Sequence, residues 1–593
     1  MNARNDTASE LVGEKNKPIR RRHTLKAKGL KIRITPQRLC NGYNPDAMRR
    51  SDLWVGLAIF VVVQLVFAQA WRAGLVGDWS GLAQRIEQGH GAADILHSFG
   101  FQANQQIRYA FLYLFFSLCE AKPLCWHLLF TFLHAVNGYL FYRVLRLLFR
   151  RLAIHRPGLL LAGGVLLFLF NPYQSEPVVY KACFNWLLSS SFVLMGLMGF
   201  LQWQAGGRPG PLVLLYISFA LGLFVMEQVV IFPLYVLILY LGLPGREAKF
   251  RPATVFRVFG PLVLLLGAYL ILNKFTLGGW VGHYGEARHL RFDPALQWGT
   301  VLKYLSKIFG LTRYTAAHKG AHYEFFEAPI VQGVALGLAL AALLWSAIFW
   351  KRLPGLLRVG LLLFLLGGAA LLPVSNLYFY HLLLVTNDRY SYLAAGFLLA
   401  GLVSLLGLLP ASVRWLPIAA LLTAHLYLMW YTLGLWREQA KIYYTLMESF
   451  PVQEERPIYL LNLPDNYLGI FLFQHTQAAH GLVDPLVYVL EKQPKASIRE
   501  VINYNMVTPW DGVRVGPSAD STLTVRFNQP GNWWWRKGRG GGPYETNSYR
   551  WEPGQSSYQL HLKDSMPKDA VFLYVDSLQW RYADWRPPFT AQD

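Results

Sequence analysis

Asp78 stands in Gly77-Asp78-Trp79, a few residues past the first long apolar run, Leu53 to Ala70. A carboxylate there sits where a membrane helix would emerge into water. In an enzyme working on a lipid-borne substrate, that is where a general base is wanted. A plain loop acid is the competing reading, and Glu87 and Asp94 in the same polar stretch are alternates for the role. Arg108 and Arg389 fall at the edges of other apolar runs, where a charge is costly unless it has a partner or a function. Their planar donor forks suit phosphate oxygens. For Arg389, pairing with the adjoining Asp388 or snorkelling to the interface would also explain the charge. Glu176 and Glu227 fit either a site or polar bonding between helices. His134 and Asn137, about one helical turn apart, are of the kind that bonds across helices inside a bundle.

Such residues need a membrane framework, and the composition provides one. The chain has 593 residues, 54% hydrophobic and 15% charged, with mean hydropathy +0.27. A soluble domain carries about 25% charged residues. Apolar runs near 53–70, 124–143, 158–170, 186–203, 211–226, 229–243, 257–273, 329–350, 356–373, 390–409 and 414–434 predict about 11 membrane helices. The first run follows a long polar stretch without a small-residue cleavage site, so it is expected to be a retained span and not a signal peptide. Gln105 to Cys119 is short and interrupted by Arg108, which predicts an interfacial helix and not a crossing.

The net charge of +22 invites a nucleic-acid reading, but its distribution points to topology. Lys15, Lys17, Arg20, Arg21, Arg22, Lys26, Lys28, Lys31, Arg33, Arg38, Arg49 and Arg50 crowd residues 1–50, just ahead of the first span. Basic clusters of this kind keep their side of a membrane in the cytoplasm and contact anionic membrane lipids. No nucleic-acid motif accompanies them, and no nucleic acid is expected as a partner. The short loops Arg143 to Arg156, Pro244 to Arg257 and Lys351 to Arg358 then fall inside and are basic, as the rule requires. Residues 274–328 fall outside yet carry Lys274, Arg288, Arg291, Lys303, Lys307, Arg313 and Lys319. An anionic substrate would favour that charge.

Past 434 the pattern changes. Residues 435–450 read as an amphipathic helix (Trp436, Ala440, Tyr443, Tyr444, Met447) leading off the membrane. Strands are expected at Ile458–Leu463, Thr522–Phe527, Tyr558–Leu562 and Val571–Val575. Trp533-Trp534-Trp535, followed by Arg536, Lys537 and Gly538–Gly542, reads as an aromatic turn with a basic loop, at a packed or membrane-touching corner or as a surface for stacking carbohydrate. The organisation expected is a basic cytoplasmic tail (1–50), an all-α polytopic membrane bundle (51–434) and an extracytoplasmic β-rich domain (435–593). Four cysteines occur without a CxxC pair, so no metal motif is seen. Cys119 and Cys125 flank a tight loop and would either bridge or remain free thiols.

Four local patterns resemble a family when taken in order. They are Trp126-His127 through His134 and Asn137 to Tyr142-Arg143; Asn171-Pro172 with Glu176, Val178 and Leu187-Leu188-Ser189; Met226-Glu227 with Pro233; and Asp388-Arg389-Tyr390-Ser391-Tyr392-Leu393. The set is similar to a branch of the GT-C superfamily, membrane glycosyltransferases that use sugars linked to polyprenyl phosphate. The second pattern has Asn171 where the family has His, and the third lacks a Lys before its Glu, so the resemblance is to a divergent bacterial member. Asn462 to Tyr467 also resembles the start of the extracytoplasmic tail in bacterial relatives.

The resemblance implies an active site on the extracytoplasmic side of the inner membrane, with an acid in the first external loop, the place of Asp78. It implies a polyprenyl-phosphate-linked sugar as donor, and a glycan, lipid or protein as acceptor. Arg108, Glu176, Asp388 and Arg389 would bind substrate. The sequence does not fix a cofactor: a divalent cation is left open, with no metal motif to hold it. A GT-C relative without activity and a transporter or lipid-binding membrane protein are the alternatives. Transporters commonly show inverted repeats, and none is visible.

Overall fold

The computed structural model describes residues 45–73, 104–120, 122–155, 157–243, 252–280, 293–315, 319–375, 385–451, 456–473, 498–519, 521–536 and 540–583. Asp78, Glu87 and Asp94 lie outside these described residues. Two compact units are distinguished, residues 1–54 and 55–593. The described part of the first is the opening of the first helix, and the packing that builds the site lies within the second.

The helices are α1 (Pro45–Phe67), α2 (Gln106–Cys119), α3 (Pro123–Arg151), α4 (Gly158–Phe170), α5 (Ser175–Val179), α6 (Phe184–Gly206), α7 (Gly210–Leu223), α8 (Phe232–Gly242), α9 (Pro252–Leu277), α10 (Pro294–Gly310), α11 (Thr312–Thr315), α12 (Lys319–Glu327), α13 (Pro329–Phe349), α14 (Gly355–Ser375), α15 (Tyr392–Leu406) and α16 (Trp415–Glu448). Among the described residues, eight helices are long and apolar enough to cross a membrane, or nine if α4 and the bent segment after it form one span. The chain is a multi-pass membrane protein. Every run expected as a span is helical, but α7 has only 14 residues, and α8 with the turn before it covers only Glu227–Gly242. At 1.5 Å per residue neither covers a core of about 30 Å, so they are not counted as full crossings. The 14-residue α2 falls short for the same reason. Cys119 and Cys125 form a disulfide with Cα atoms 5.3 Å apart, closing the α2–α3 connection.

Proline and small residues shape the centre. Pro172 cannot continue α4, because it has no N–H and its ring crowds the preceding turn. Asn171 caps the break, accepting from the Tyr173 N–H at 3.1 Å and donating to the Leu167 carbonyl at 3.0 Å. The chain bends there by 48°. Helices α14 and α15 approach closely where Gly360 faces Gly401; a Cβ on Gly401 would lie 3.2 Å from the Gly360 carbonyl oxygen. Small residues allow such approaches where no hydrophobic force drives helices together. In the most apolar 18-residue stretch of Lys181–Gly206, 89% of the residues are buried, against 6% in that of Pro329–Arg352. The first lies at the bundle centre and the second at its periphery.

The expected amphipathic helix is the continuation of the last span. Helix α16 runs unbroken for 34 residues, about 51 Å at 1.5 Å per residue. Trp436, Ala440, Tyr443 and Met447 form its buried stripe. Beyond it come β1 (Ile458–Leu460), β2 (Leu463–Tyr467), β3 (Ile470–Phe471), β4 (Ile498–Glu500), β5 (Asn503–Met506), β6 (Val513–Ala519), β7 (Thr522–Phe527), β8 (Trp534–Trp535), β9 (Tyr544–Glu545), β10 (Tyr549–Pro553), β11 (Ser557–Leu562), β12 (Val571–Asp576) and β13 (Gln579–Tyr582). They form three sheets, ordered β13-β12-β1-β4, β6-β7-β11-β10-β9 and β3-β2-β5-β8. The triple tryptophan is no simple turn. Trp534 and Trp535 form β8 antiparallel to β5, and Trp534 stacks on Phe527 with ring centroids 3.7 Å apart. Residues 537–539 lie outside the described set. The sheets are tied to α16 by Gln439 donating to the Phe471 carbonyl (2.7 Å) and Trp580 to the Leu446 carbonyl (2.8 Å).

Candidate functional site

Two breaks in the helical pattern meet at the β-rich end of the bundle: the α4–α5 bend and the 3-10 turn Val385–Ser391 that leads into α15. Glu176, fully buried, accepts from the Arg389 backbone N–H at 2.7 Å and from Arg389 Nη1 at 3.1 Å. One carboxylate thus fixes both the backbone and the side chain of Arg389. The pairing of Arg389 with Asp388 weighed from sequence is not the arrangement found, because the tight turn sends the two side chains in different directions. Asp388 points inward, with Lys307 Nζ at 2.5 Å from its Oδ1 and the Arg313 guanidinium bonded to the same oxygen. The Arg389 side chain keeps 21% exposure.

Tyrosine rings make the buried cations tolerable. Lys307 Nζ lies 5.1 Å from the Tyr173 ring centroid and 5.6 Å from that of Tyr304, and the Arg313 guanidinium is 5.1 Å from the Tyr173 ring. Contacts of this kind strengthen as water is removed. Tyr173 also donates to the Lys307 carbonyl at 2.5 Å, fixing α10 against the α4–α5 bend. Tyr314 and Thr432 share a hydrogen bond of 2.7 Å that joins α11 to α16. Burial pushes the Lys307 amine below the usual lysine range, with Asp388 opposing. Burial also works against the charge of Arg313, but Asp388 and the neighbouring tyrosines outweigh it and raise its pKa. Among the described residues, three basic side chains (Lys307, Arg313, Arg389) and two carboxylates (Glu176, Asp388) share this cluster.

A second buried network braces the same turn. Tyr392 Oη is 2.8 Å from His134 Nδ1 and accepts from Asn137 Nδ2 at 3.1 Å. His134 Nε2 lies 3.0 Å from the Leu169 carbonyl, which can only accept. The proton is therefore on Nε2, and Tyr392 donates to Nδ1. Asn137 also donates to the Leu187 carbonyl and accepts from Ser191 Oγ, while Gln174 donates to the Tyr392 carbonyl at 3.0 Å. The expected bonding of His134 and Asn137 across helices is what the bundle contains. It connects α3, α4, α6 and α15 around the residues that hold Glu176 and Arg389.

Glu176, Asp388 and Arg389 thus come together. Arg108 has other partners: its Nη1 donates to Gln105 at 2.5 Å, and Gln105 donates to Glu227 at 3.3 Å. Asn104, beside Gln105, donates to Asn273 and Thr276 near the end of α9. A narrow cleft lies beside Tyr390, lined by Ser190, Gln228, Tyr235 and Leu393 among others. Lys307 and Arg313 were visible in sequence only as part of the basic 274–328 stretch that breaks the positive-inside pattern. That anomaly was the available signal. Among the described residues, no three His, Cys, Asp or Glu side chains gather as metal ligands would. Compared with protein-family models and with curated proteins, the chain matched none.

Proposed function

We propose that the chain is a membrane glycosyltransferase that moves a sugar from a polyprenyl-phosphate-linked donor to a glycan, lipid or protein acceptor. We place the reaction at the β-rich end of the bundle, on the extracytoplasmic face of the inner membrane, with the N-terminus in the cytoplasm. The observation that carries this reading is Arg389. It is a partly exposed guanidinium beside a span, oriented by a buried carboxylate and backed by the buried Lys307–Asp388–Arg313 group. A fixed donor fork matches phosphate oxygens. Glu176 orients it, and Asp388 pairs with the two cations behind it.

In this reading the acceptor hydroxyl gives its proton to a carboxylate of the first loop, Asp78, as its oxygen bonds to the anomeric carbon. The bond from that carbon to the phosphate oxygen breaks, and polyprenyl phosphate leaves with the electron pair. Positive charge at the leaving phosphate lowers the barrier as negative charge develops there.

The test is binding of a polyprenyl phosphate to the full chain in nanodiscs, with release of polyprenyl phosphate from sugar-loaded donors followed in parallel. Wild type should prefer the phosphate over uncharged polyprenol, and Arg389→Ala should lose that preference. Equal binding of phosphate and alcohol by wild type would sink the donor assignment. Binding without turnover on any donor and acceptor pair would favour the inactive relative.

A further inference from the structure

We propose that the edge of the β-rich region where β2 and β5 end rests in the headgroup layer of the membrane that the bundle crosses, with Leu468, Trp510 and Trp533 as its anchors. Three loops converge on this edge. Tyr467, at the end of β2, pairs with Met506 at the end of β5. Leu468 follows at the hairpin tip, its N–H bonded to the Met506 carbonyl at 2.9 Å. Asn532 donates to the Asn505 carbonyl and to Asp511, each at 2.7 Å, and so brings Trp533 and Trp510 to the same place.

The exposure of these side chains is not a product of loose backbone. Asp511 accepts from the Val507 and Thr508 N–H groups, the Thr508 hydroxyl and Asn532. The Trp533 N–H is held by Asn505 Oδ1 at 2.8 Å. Yet Trp510 is 65% and Trp533 55% exposed, while the neighbouring Trp534 is buried. Leu468 has φ +48°, a left-handed conformation in which a bulky residue is unusual, and its side chain is also exposed. An apolar side chain held outward in that conformation points to a medium that receives it.

The position along α16 identifies that medium. Gln439 holds the β3 carbonyl of Phe471, and the Tyr467 phenol lies within electrostatic reach of Glu438 and Tyr431 on the helix and of Asp511 beside Trp510. At that end of the span, Tyr427, Trp430 and Tyr431 are exposed on α16. Trp and Tyr gather where a membrane meets water. The exposed aromatics of the helix therefore mark the interface, and those of the sheet edge continue the belt at adjoining depth. A carbohydrate-stacking platform is the less favoured occupant, because the carboxylate beside the rings is already satisfied by four donors inside the fold.

The experiment uses the full chain in liposomes without donor or acceptor, so its outcome is independent of the proposed reaction. In a Cys40→Ser background, Leu468→Cys, Trp510→Cys, Trp533→Cys and Gln555→Cys are labelled singly with an environment-sensitive fluorophore. Cys119 and Cys125 are bridged and Cys183 is buried. The first three sites should emit at shorter wavelength and lose most of their emission to quenchers carried on lipids near the headgroup, with little loss to aqueous iodide. Gln555, in the exposed β10–β11 turn, should behave in the opposite way. Iodide quenching all four alike, without lipid quenching, would overturn the proposal. So would protection of the three sites only on adding a soluble glycan.

Discussion

Replacing Asp388 by Asn tests how the buried ions are held, and its size can be worked from the structure. The carboxylate is fully buried and serves two cations, Lys307 with no exposed side-chain surface and Arg313 with 8%. Asn keeps the shape and removes the negative charge that Lys307 and Arg313 share. Removing one partner of a buried pair costs about 3–5 kcal/mol, because the charge left behind cannot recover its hydration. Asp388→Asn should lower the unfolding free energy of the detergent-solubilised protein by about that amount. Adding Lys307→Met removes one of the two cations left behind, the amine that burial already disfavours, so the double variant should recover a large part of the loss. Equilibrium unfolding in mixed micelles, followed by tryptophan emission, gives both numbers. A single variant within about 0.5 kcal/mol of wild type, the range of an ordinary surface substitution, would refute the reasoning. So would a double variant no better than the single.

Arg389→Ala should weaken donor binding by about 10- to 100-fold, the worth of charge-assisted hydrogen bonds, while the protein stays monodisperse; a titration with polyprenyl phosphate measures it, and aggregation of the variant would mark a structural role. Asp78→Asn should reduce turnover by about 10²–10⁴-fold with little change in donor binding; if Glu87→Gln or Asp94→Asn has that effect instead, the base is elsewhere in the loop, and normal turnover in all three removes the loop from catalysis. Tyr392→Phe should cost about 1–2 kcal/mol by leaving the acceptor nitrogen of His134 without its donor, read by thermal unfolding beside wild type. Reporter fusions after Asp593 should read as extracytoplasmic and those near Arg150 as cytoplasmic; a cytoplasmic C-terminus would contradict the orientation.

Hydropathy made the bundle legible because each helix announces its own environment, and the strands at 522–527 and 571–575 announced themselves through β-branched and aromatic residues. The site was legible only in part. Arg389 and Asp388 stood out as charges beside a span, but their adjacency suggested a bond that the turn prevents. The actual partner of Arg389, Glu176, is 213 positions away. Lys307 and Arg313 read only as charges of an external loop, since nothing local shows that the Tyr173 and Tyr304 rings lie against them. Burial of a cation is decided by what faces it, and that is set by the bend at Pro172. The division of the aromatic triplet into exposed, buried and half-buried members likewise depends on the pairing of β8 with β5.

Helix α16 also acts as a lever arm. A span tilts when bilayer thickness and its apolar length disagree, and this one carries its tilt into the sheets without a hinge. Over about 51 Å, a change of about 10° displaces the far end by about 9 Å. Gln439 and Leu446 would transmit that swing to β3 and β13, while Thr432, nearer the pivot, keeps its link to Tyr314 and the buried ions. A bilayer that changed the tilt of α16 would therefore act on β3 and β13 through these two hydrogen bonds.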